Sequence, residues 1–307
     1  MAVSNMLVVA RKYNDIYYAI STEEWKNCEH HYLMMITDRL DNAKYPMQHL
    51  FDEVITIHTE KGNIGYFKQC LSIKRVLGKF NFQIVTISNL ALVSNLCVLA
   101  SHKVKEVLLL EDGLMNYYHF KPSQRLSKKI LKYIFNIDEP HIFSKITKTY
   151  LLKPELAKYY YGRPTQLHLD VKTFLKHANI DHRINGKSIF VGQDLYHNSN
   201  LTVGEYSEIV NRVVKDKQIN FYIPHTRAVS EERIDCKQFN LSDSLTTLEI
   251  YAALYNLKIY SFSSSVLYTT KVINPNVKAY SIRNRKTDRI SDDSIIYKYV
   301  DEVINID

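Results

Sequence analysis

Residues 80–113 read FNFQIVTISNLALVSNLCVLASHKVKEVLLLEDG, and the fold turns on how this stretch divides. From Phe80 to Ser101 there is no charge over 22 residues, which matches the ~20 residues that a membrane-spanning helix needs. Its composition argues for a different division. Asn81, Gln83, Thr86, Ser88, Asn89, Ser94, Asn95 and Ser101 are polar. Ile84-Val85-Thr86-Ile87 reads as a buried strand, Ser88-Asn89 as a turn, and the residues after the turn as a helix. Val107-Leu108-Leu109-Leu110 is then a second strand, and Glu111-Asp112-Gly113 is the triplet that the chain places at its end.

The same alternation extends in both directions. Leu7-Val8-Val9, Leu33-Met34-Met35-Ile36 and Glu53-Val54-Ile55-Thr56-Ile57 are short apolar or β-branched runs with helical patterns between them, which predicts a parallel sheet with crossover helices. From about Phe135 to Thr173 the chain is rich in Tyr, Lys, Pro and His and shows no clear period. The pattern restarts at Asn185-Gly186-Lys187, with strands at Ser188 to Val191, Phe221 to Ile223 and Leu257 to Phe262 and a helix over Tyr206 to Lys215. We therefore expect an α/β protein of two Rossmann-like lobes, residues 1–165 and 166–307. Two parallel sheets facing across a cleft, without a G-x-x-x-x-G-K-[ST] loop or an early G-x-G-x-x-G, resemble the GT-B architecture of glycosyltransferases.

Composition narrows the class. With 307 residues, 46% hydrophobic and 12% aromatic, the chain can bury a substantial core, so disorder is not expected. Eight glycines and seven prolines exclude collagen-like and linker-like sequences. The net charge of +8 favours an anionic partner. Residues 1–160 hold 21 basic and 15 acidic side chains, against 19 and 17 in the remainder, so the first lobe is the basic one. Cys28, Cys70, Cys97 and Cys236 are scattered with no C-x-x-C pair, which reads as free thiols in a reducing cytosol. Met6 to Ala10 is closed by Arg11 and Lys12, too short a run for a secretory signal.

In open α/β sheets ligands sit beyond the carboxyl ends of the strands, so polar residues that come after apolar runs are the candidates. Three groups stand out. Glu111-Asp112-Gly113 puts two carboxylates at a strand end; either can act as a base, and all three residues are also ordinary turn formers. Pro224-His225-Thr226-Arg227 comes after Phe221-Tyr222-Ile223 and offers an imidazole beside a fixed positive charge, or a structural histidine. Ser263-Ser264-Ser265 precedes a helix starting near Val266, where hydroxyls and backbone N–H groups can hold an anion or simply cap the helix.

In this order the three resemble the acidic-acidic-Gly, His-Pro-type and Ser-Ser/Thr motifs of bacterial GT-B sialyltransferases. The group is glycosyltransferase family 52, which sialylates lipooligosaccharide and capsule and is related to bacterial polysialyltransferases. Val191-Gly192-Gln193 and Leu248-Glu249-Ile250 also look like this family. One departure is Thr226, where the family often has proline after the histidine. The resemblance implies an inverting, metal-independent transferase that moves sialic acid from CMP-sialic acid (CMP-Neu5Ac) to a sugar hydroxyl, with galactose the expected acceptor. It implies Asp112 as the base, with Glu111 as the second candidate, and His225 as the group that protonates or hydrogen-bonds the leaving phosphate. Ser263, Ser264 and Ser265 would hold that phosphate. Gly192, Gln193 and Glu249 would approach the nucleotide, Glu249 at its ribose. The first lobe would then take the acceptor and the second the CMP. No cofactor is implied beyond the donor substrate, and the chain lacks a D-x-D metal motif.

Glu249 has a second reading, because Thr246-Thr247-Leu248-Glu249 fits a capping box with Thr246 as the N-cap. Lys121, Arg125, Lys128, Lys129 and Lys132 lie near helical spacing with Leu126, Ile130, Leu131, Ile134 and Phe135. Such a helix can rest on the inner face of the cytoplasmic membrane, where lipid-linked acceptors are built, or expose a solvated basic face. Cys28-Glu29-His30-His31 has no second ligand cluster, so no metal is assigned. Two other functions stand beside the sialyltransferase: a GT-B transferase using another nucleotide sugar, such as a glucosyltransferase, and a basic nucleic-acid-binding protein. Against the latter, the sequence has no RNA-binding motif and its tyrosines are dispersed, so a nucleic-acid partner is not expected.

Overall fold

The computed structural model describes residues 4–37, 45–60, 62–118, 125–197, 201–241, 245–286 and 294–306. The chain divides into two compact units, Met1–His177 and Ala178–Asp307.

Unit 1 carries strands β1 (Asn5–Ala10), β2 (His30–Thr37), β3 (Glu53–His58), β4 (Ile84–Ile87), β5 (Glu106–Leu110), β6 (Ile146–Leu151) and β7 (Arg163–Gln166). Its helices are α1 (Tyr13–Ile20), α2 (Glu23–Asn27), α3 (Gly62–Leu77), α4 (Val93–Leu99), α5 (Leu126–Ile134), α6 (Glu139–Ser144) and α7 (Val171–His177). The strands form one sheet in the order β3-β2-β1-β4-β5-β6-β7, every pair parallel. Parallel strands need crossovers that cover both faces, and all six residues of β1 are accordingly buried.

The uncharged stretch from Phe80 resolves into β4, a turn and α4. All seven residues of α4 are buried, which accounts for the missing charges. Its polar groups find partners: Asn95 Nδ2 donates to the Asn89 carbonyl (2.7 Å) and Arg11 Nη2 to Ser94 Oγ (2.6 Å). Among the described residues no helix is long and apolar enough to cross a membrane.

α5 is laid down differently from its hydrophobic pattern. Only Leu131 and Phe135 face the core, where Phe135 packs on Phe67 (centroids 5.5 Å apart). Leu126, Ile130, Tyr133 and Ile134 are exposed, and Lys132 is paired with Glu139 (2.8 Å). Lys121, grouped with this segment in the sequence, lies outside the described residues.

Unit 2 holds β8 (Ser188–Val191), β9 (Phe221–Ile223), β10 (Lys258–Ser261), β11 (Lys278–Arg283) and β12 (Glu302–Asn305), in the order β12-β11-β10-β8-β9 and again all parallel. Its helices are α8 (Val203–Asp216), α9 (Leu248–Leu254), α10 (Ser265–Ile273) and α11 (Ile295–Tyr299). Phe190, Tyr206, Tyr222, Tyr260 and Phe262 form the aromatic centre of the core beneath α8.

Candidate functional site

In each unit the strand order reverses beside the first strand, between β1 and β4 in unit 1 and between β8 and β10 in unit 2. Loops diverge at such a point and leave a crevice at the carboxyl ends of the strands. The candidate residues of both units, Glu249 excepted, stand directly after carboxyl ends of strands.

In unit 1, Glu111 and Asp112 come directly after β5, and Gly113 takes a left-handed φ of 57°, a turn that glycine makes without strain. The two carboxylates have opposite environments. Asp112 keeps 13% of its side chain exposed, forms an ion pair with Lys12 from the end of β1, and accepts a hydrogen bond from Asn89 Nδ2 at the end of β4 (2.8 Å). Glu111 has no exposed surface. Its Oε2 accepts from Tyr117 Oη and from the Leu152 N–H (2.8 Å each), while Oε1 is buried without a partner. Burial pushes its pKa up to about 8, because an ionised carboxylate loses its hydration there. Asp15, also fully buried, accepts from the Arg11 and Lys12 N–H groups (2.8 and 3.1 Å) and fixes the loop that carries Lys12. Burial raises its pKa as well, with Lys12 opposing and Asp112 adding to the effect.

In unit 2, Gly192 comes directly after β8 and its N–H donates to the Ile223 carbonyl (2.8 Å). A Cβ here would collide with the Tyr222 hydroxyl, so only glycine lets the chain run this close to β9. Gln193 bridges the reversal point: its Oε1 accepts the Ser263 N–H (2.9 Å), joining the loop after β8 to the loop after β10. Ser264 is the N-cap of α10, its hydroxyl accepting the Val266 N–H (3.3 Å). Ser263 and Ser265 flank it, half-buried.

His225 stands just beyond β9 and is half-buried. Its Nδ1 accepts the Arg227 N–H (3.2 Å), which leaves the ring hydrogen of the neutral form on Nε2. Burial lowers its pKa, Asp194 and Glu232 partly opposing and Arg227 and His197 adding to the effect. The loop that carries it is held by tyrosines. Tyr196 and Tyr222 donate to the two oxygens of Glu232 (2.6 and 2.8 Å), and Tyr206 accepts the Gln193 N–H (3.0 Å).

Glu249 is buried near the start of α9 and accepts a hydrogen bond from Thr269 Oγ1 of α10 (3.1 Å). The capping box drawn from the sequence does not form. The N-cap of α9 is Thr247, without a side-chain cap, and the hydroxyls of Thr246 and Thr247 are buried with no partner. Packing of Glu249 against α10 takes the carboxylate away from the N-cap it was expected to reach.

Among the described residues no group of three or more His, Cys, Asp or Glu is placed to hold a metal. Of the Cys28–His31 segment, His31 stacks on Trp25 (centroids 3.7 Å apart) with its Nε2 at the Trp25 carbonyl (2.8 Å). Lys12, Asn89, Asp15, Tyr196 and Glu232 were not singled out in the sequence. Lys12 and Asn89 carry the one available signal, since each stands just beyond an apolar run, as Asp112 does.

The sequence matches no known family profile and no curated protein. Solved structures do match the fold. The UDP-N-acetylglucosamine 2-epimerase of Methanocaldococcus jannaschii, in complex with UDP-GlcNAc and UDP, is 13% identical with a TM-score of 0.53, over 100% of this chain and 89% of that one. Staphylococcus aureus MnaA with UDP gives 10% and 0.53, over 92% and 79%. The Rickettsia bellii 2-epimerase gives 13% and 0.52, over 92% and 79%. At such identities the likeness is one of fold alone: the chain has two parallel α/β units of the GT-B type.

Proposed function

We propose that this chain is an inverting, metal-independent sialyltransferase that moves sialic acid from CMP-sialic acid to a hydroxyl, galactose being the expected sugar, of a bacterial surface glycan such as lipooligosaccharide or capsule. The observation that carries the reading is the placement of its three motifs. Glu111-Asp112, His225 and Ser263 to Ser265 all stand at the carboxyl ends of parallel strands, where such sheets bind ligands.

Unit 1 supplies the base in this reading. Asp112 is the carboxylate a hydroxyl can reach, and it takes the acceptor proton as the oxygen attacks the anomeric carbon through an oxocarbenium-like transition state. Lys12 and Asn89 hold its two oxygens, and Glu111 anchors the turn from below. Unit 2 receives the departing CMP. His225 donates a hydrogen bond from its Nε2–H to the phosphate, and the hydroxyls and amides at the start of α10 hold the same anion. With the Ser263 N–H taken by Gln193, that grip falls on the Ser264 and Ser265 amides and on the three serine hydroxyls, the Ser264 oxygen accepting from Val266 while its O–H hydrogen can still donate. Gly192 and Gln193 border the nucleotide, and Glu249 faces its ribose.

The deciding experiment is incubation with CMP-sialic acid and a panel of galactose- and sialic-acid-ended oligosaccharides, read by mass and linkage. A second reading, an enzyme of another nucleotide sugar, is favoured by the UDP and UDP-GlcNAc bound in the structures of similar fold. Turnover of UDP-glucose or UDP-GlcNAc, with CMP-sialic acid left intact, would replace the first reading by the second.

A further inference from the structure

The outer face of α5 is unlike the rest of unit 1. Leu126, Ile130, Tyr133 and Ile134 are 73%, 50%, 86% and 51% exposed, although Leu131 and Phe135 already give the helix its buried side. At 3.6 residues per turn the four fall within about 100° of the helix circumference and form a continuous apolar stripe. Single exposed apolar residues need no explanation, but a stripe of four on one helix marks a surface that something covers.

The charges beside it identify the partner. Residues 125–137 contain Arg125, Lys128, Lys129 and Lys132 and no acidic residue. Lys132 is committed to Glu139, and Lys128 donates to the Ala91 carbonyl (3.5 Å), but Lys129 is exposed beside the stripe. An apolar stripe with a basic border is what an anionic bilayer surface receives, acyl chains taking the stripe and headgroups the cations. A second copy of the chain fits less well, since a self-complementary interface would set these cations against their own copies.

We propose that α5 docks unit 1 on an anionic phospholipid bilayer, lying flat with Leu126, Ile130, Tyr133 and Ile134 inserted. The helix is wired to the candidate base: Lys128 bonds the Ala91 carbonyl, the Ala91 N–H bonds Asn89 Oδ1 (2.8 Å), and Asn89 Nδ2 bonds Asp112. Docking therefore sets Asp112 at a fixed place relative to the bilayer, which suits an acceptor sugar carried on a lipid. That last step rests on the transferase reading; the docking itself does not.

Cosedimentation of the full chain with vesicles separates the two. Phosphatidylglycerol/phosphatidylethanolamine vesicles should bind it and phosphatidylcholine vesicles should bind it weakly. The double variant Leu126→Gln/Tyr133→Ser, at positions that support no core, should keep the wild-type melting curve and lose about tenfold or more in vesicle affinity, the scale set by two apolar side chains. Lys129→Glu should weaken binding to the anionic vesicles alone. Transfer to a soluble galactoside should be unchanged in the double variant. No vesicle binding, equal binding by the double variant, or a dimer that the double variant dissociates would overturn the docking proposal. Vesicle binding without transfer from any donor would overturn the transferase reading and leave docking in place.

Discussion

The two strand-end sites share a topology and differ in what holds them. After β5 in unit 1 the Glu111 and Asp112 carboxyl groups meet Lys12 and Asp15 from the segment that follows β1, and burial pushes the pKa of Glu111 up to about 8 and raises that of Asp15. At the ends of β8, β9 and β10 in unit 2 stand the His225 imidazole, serines and backbone amides beside the Arg227–Asp194 ion pair (3.5 Å), braced by Tyr196, Tyr206 and Tyr222. A parallel sheet fixes where a site lies and leaves its chemistry to the few residues after each strand. In the proposed transferase the unit 1 site moves a proton and the unit 2 site receives negative charge. The sharpest break of that division is Asp112→Ala. Turnover should fall by about 10²–10⁴-fold, the range for losing a general base, while CMP binding by calorimetry stays within about twofold of wild type. Transfer at the normal rate would remove Asp112 from the mechanism.

Within unit 1 the contrast between Asp112 and Glu111 predicts a pH effect on stability. Glu111 has a folded-state pKa of about 8 against 4.5 for an ordinary glutamate. As pH rises above 4.5 the unfolded chain releases this proton and the folded chain holds it, so the unfolded state is favoured progressively until pH 8. Glu111→Gln has no proton to lose. Its stability relative to wild type should rise across that window by about 1.4 kcal/mol per pH unit at the steepest and level off above it. Urea unfolding of both proteins at pH 5, 6, 7 and 8 measures this. Parallel curves would mean that Glu111 is ionised in the folded protein.

How much was legible in the sequence depends on where each residue finds its partner. β1 to β5, β8, β9 and β10 read directly, because buried parallel strands are continuous apolar runs. β6, Ile-Thr-Lys-Thr-Tyr-Leu, does not, since its polar residues are satisfied by groups far away in the chain: Tyr150 Oη reaches Glu24 (2.7 Å) and Lys148 reaches the same carboxylate. The buried serine of β11 is likewise matched at a distance, Ser281 Oγ donating to the Phe262 carbonyl (2.7 Å). At the sites, the residues after each apolar run were visible and their environments were not. Adjacent letters give no hint that Glu111 turns inward while Asp112 stays reachable, a difference set by Leu152 and Tyr117. The exposed side of α5 was hidden for the opposite reason. A helix with apolar residues on two sides reads as one broad apolar face until the core claims one of them.

His225 tests the other side of the comparison, with a smaller effect. Its pKa is held below the ordinary histidine value by burial, so at neutral pH it is a hydrogen-bond donor through Nε2 and not an imidazolium. His225→Ala should lower turnover by about 10–100-fold, as loss of one donor to a developing charge does. His225→Gln keeps an N–H near the Nε2 position but cannot be protonated, and should retain most of the activity lost in the alanine variant. If glutamine is as poor as alanine, the leaving phosphate needs a proton and unit 2 also carries acid chemistry, which would blur the division between the sites.

The smallest effect belongs to Glu249, where a structural and a ligand-facing role compete. Its carboxylate accepts from Thr269 Oγ1 and so ties α9 to α10, the helix whose first turn carries the serines. Glu249→Gln preserves an acceptor for Thr269 and removes the charge. A ribose hydroxyl bonded to the carboxylate would lose a charge-assisted bond, worth about 1 kcal/mol more than a neutral one. The donor KM should then rise by about fivefold with kcat unchanged and the melting temperature held. Thr269→Val, which breaks the tie between the helices and leaves the charge, should do the reverse, lowering the melting temperature with little change in KM. If the two variants behave alike, Glu249 works only as a strut under α10, and the proposed nucleotide contacts of unit 2 reduce to the loops after β8, β9 and β10.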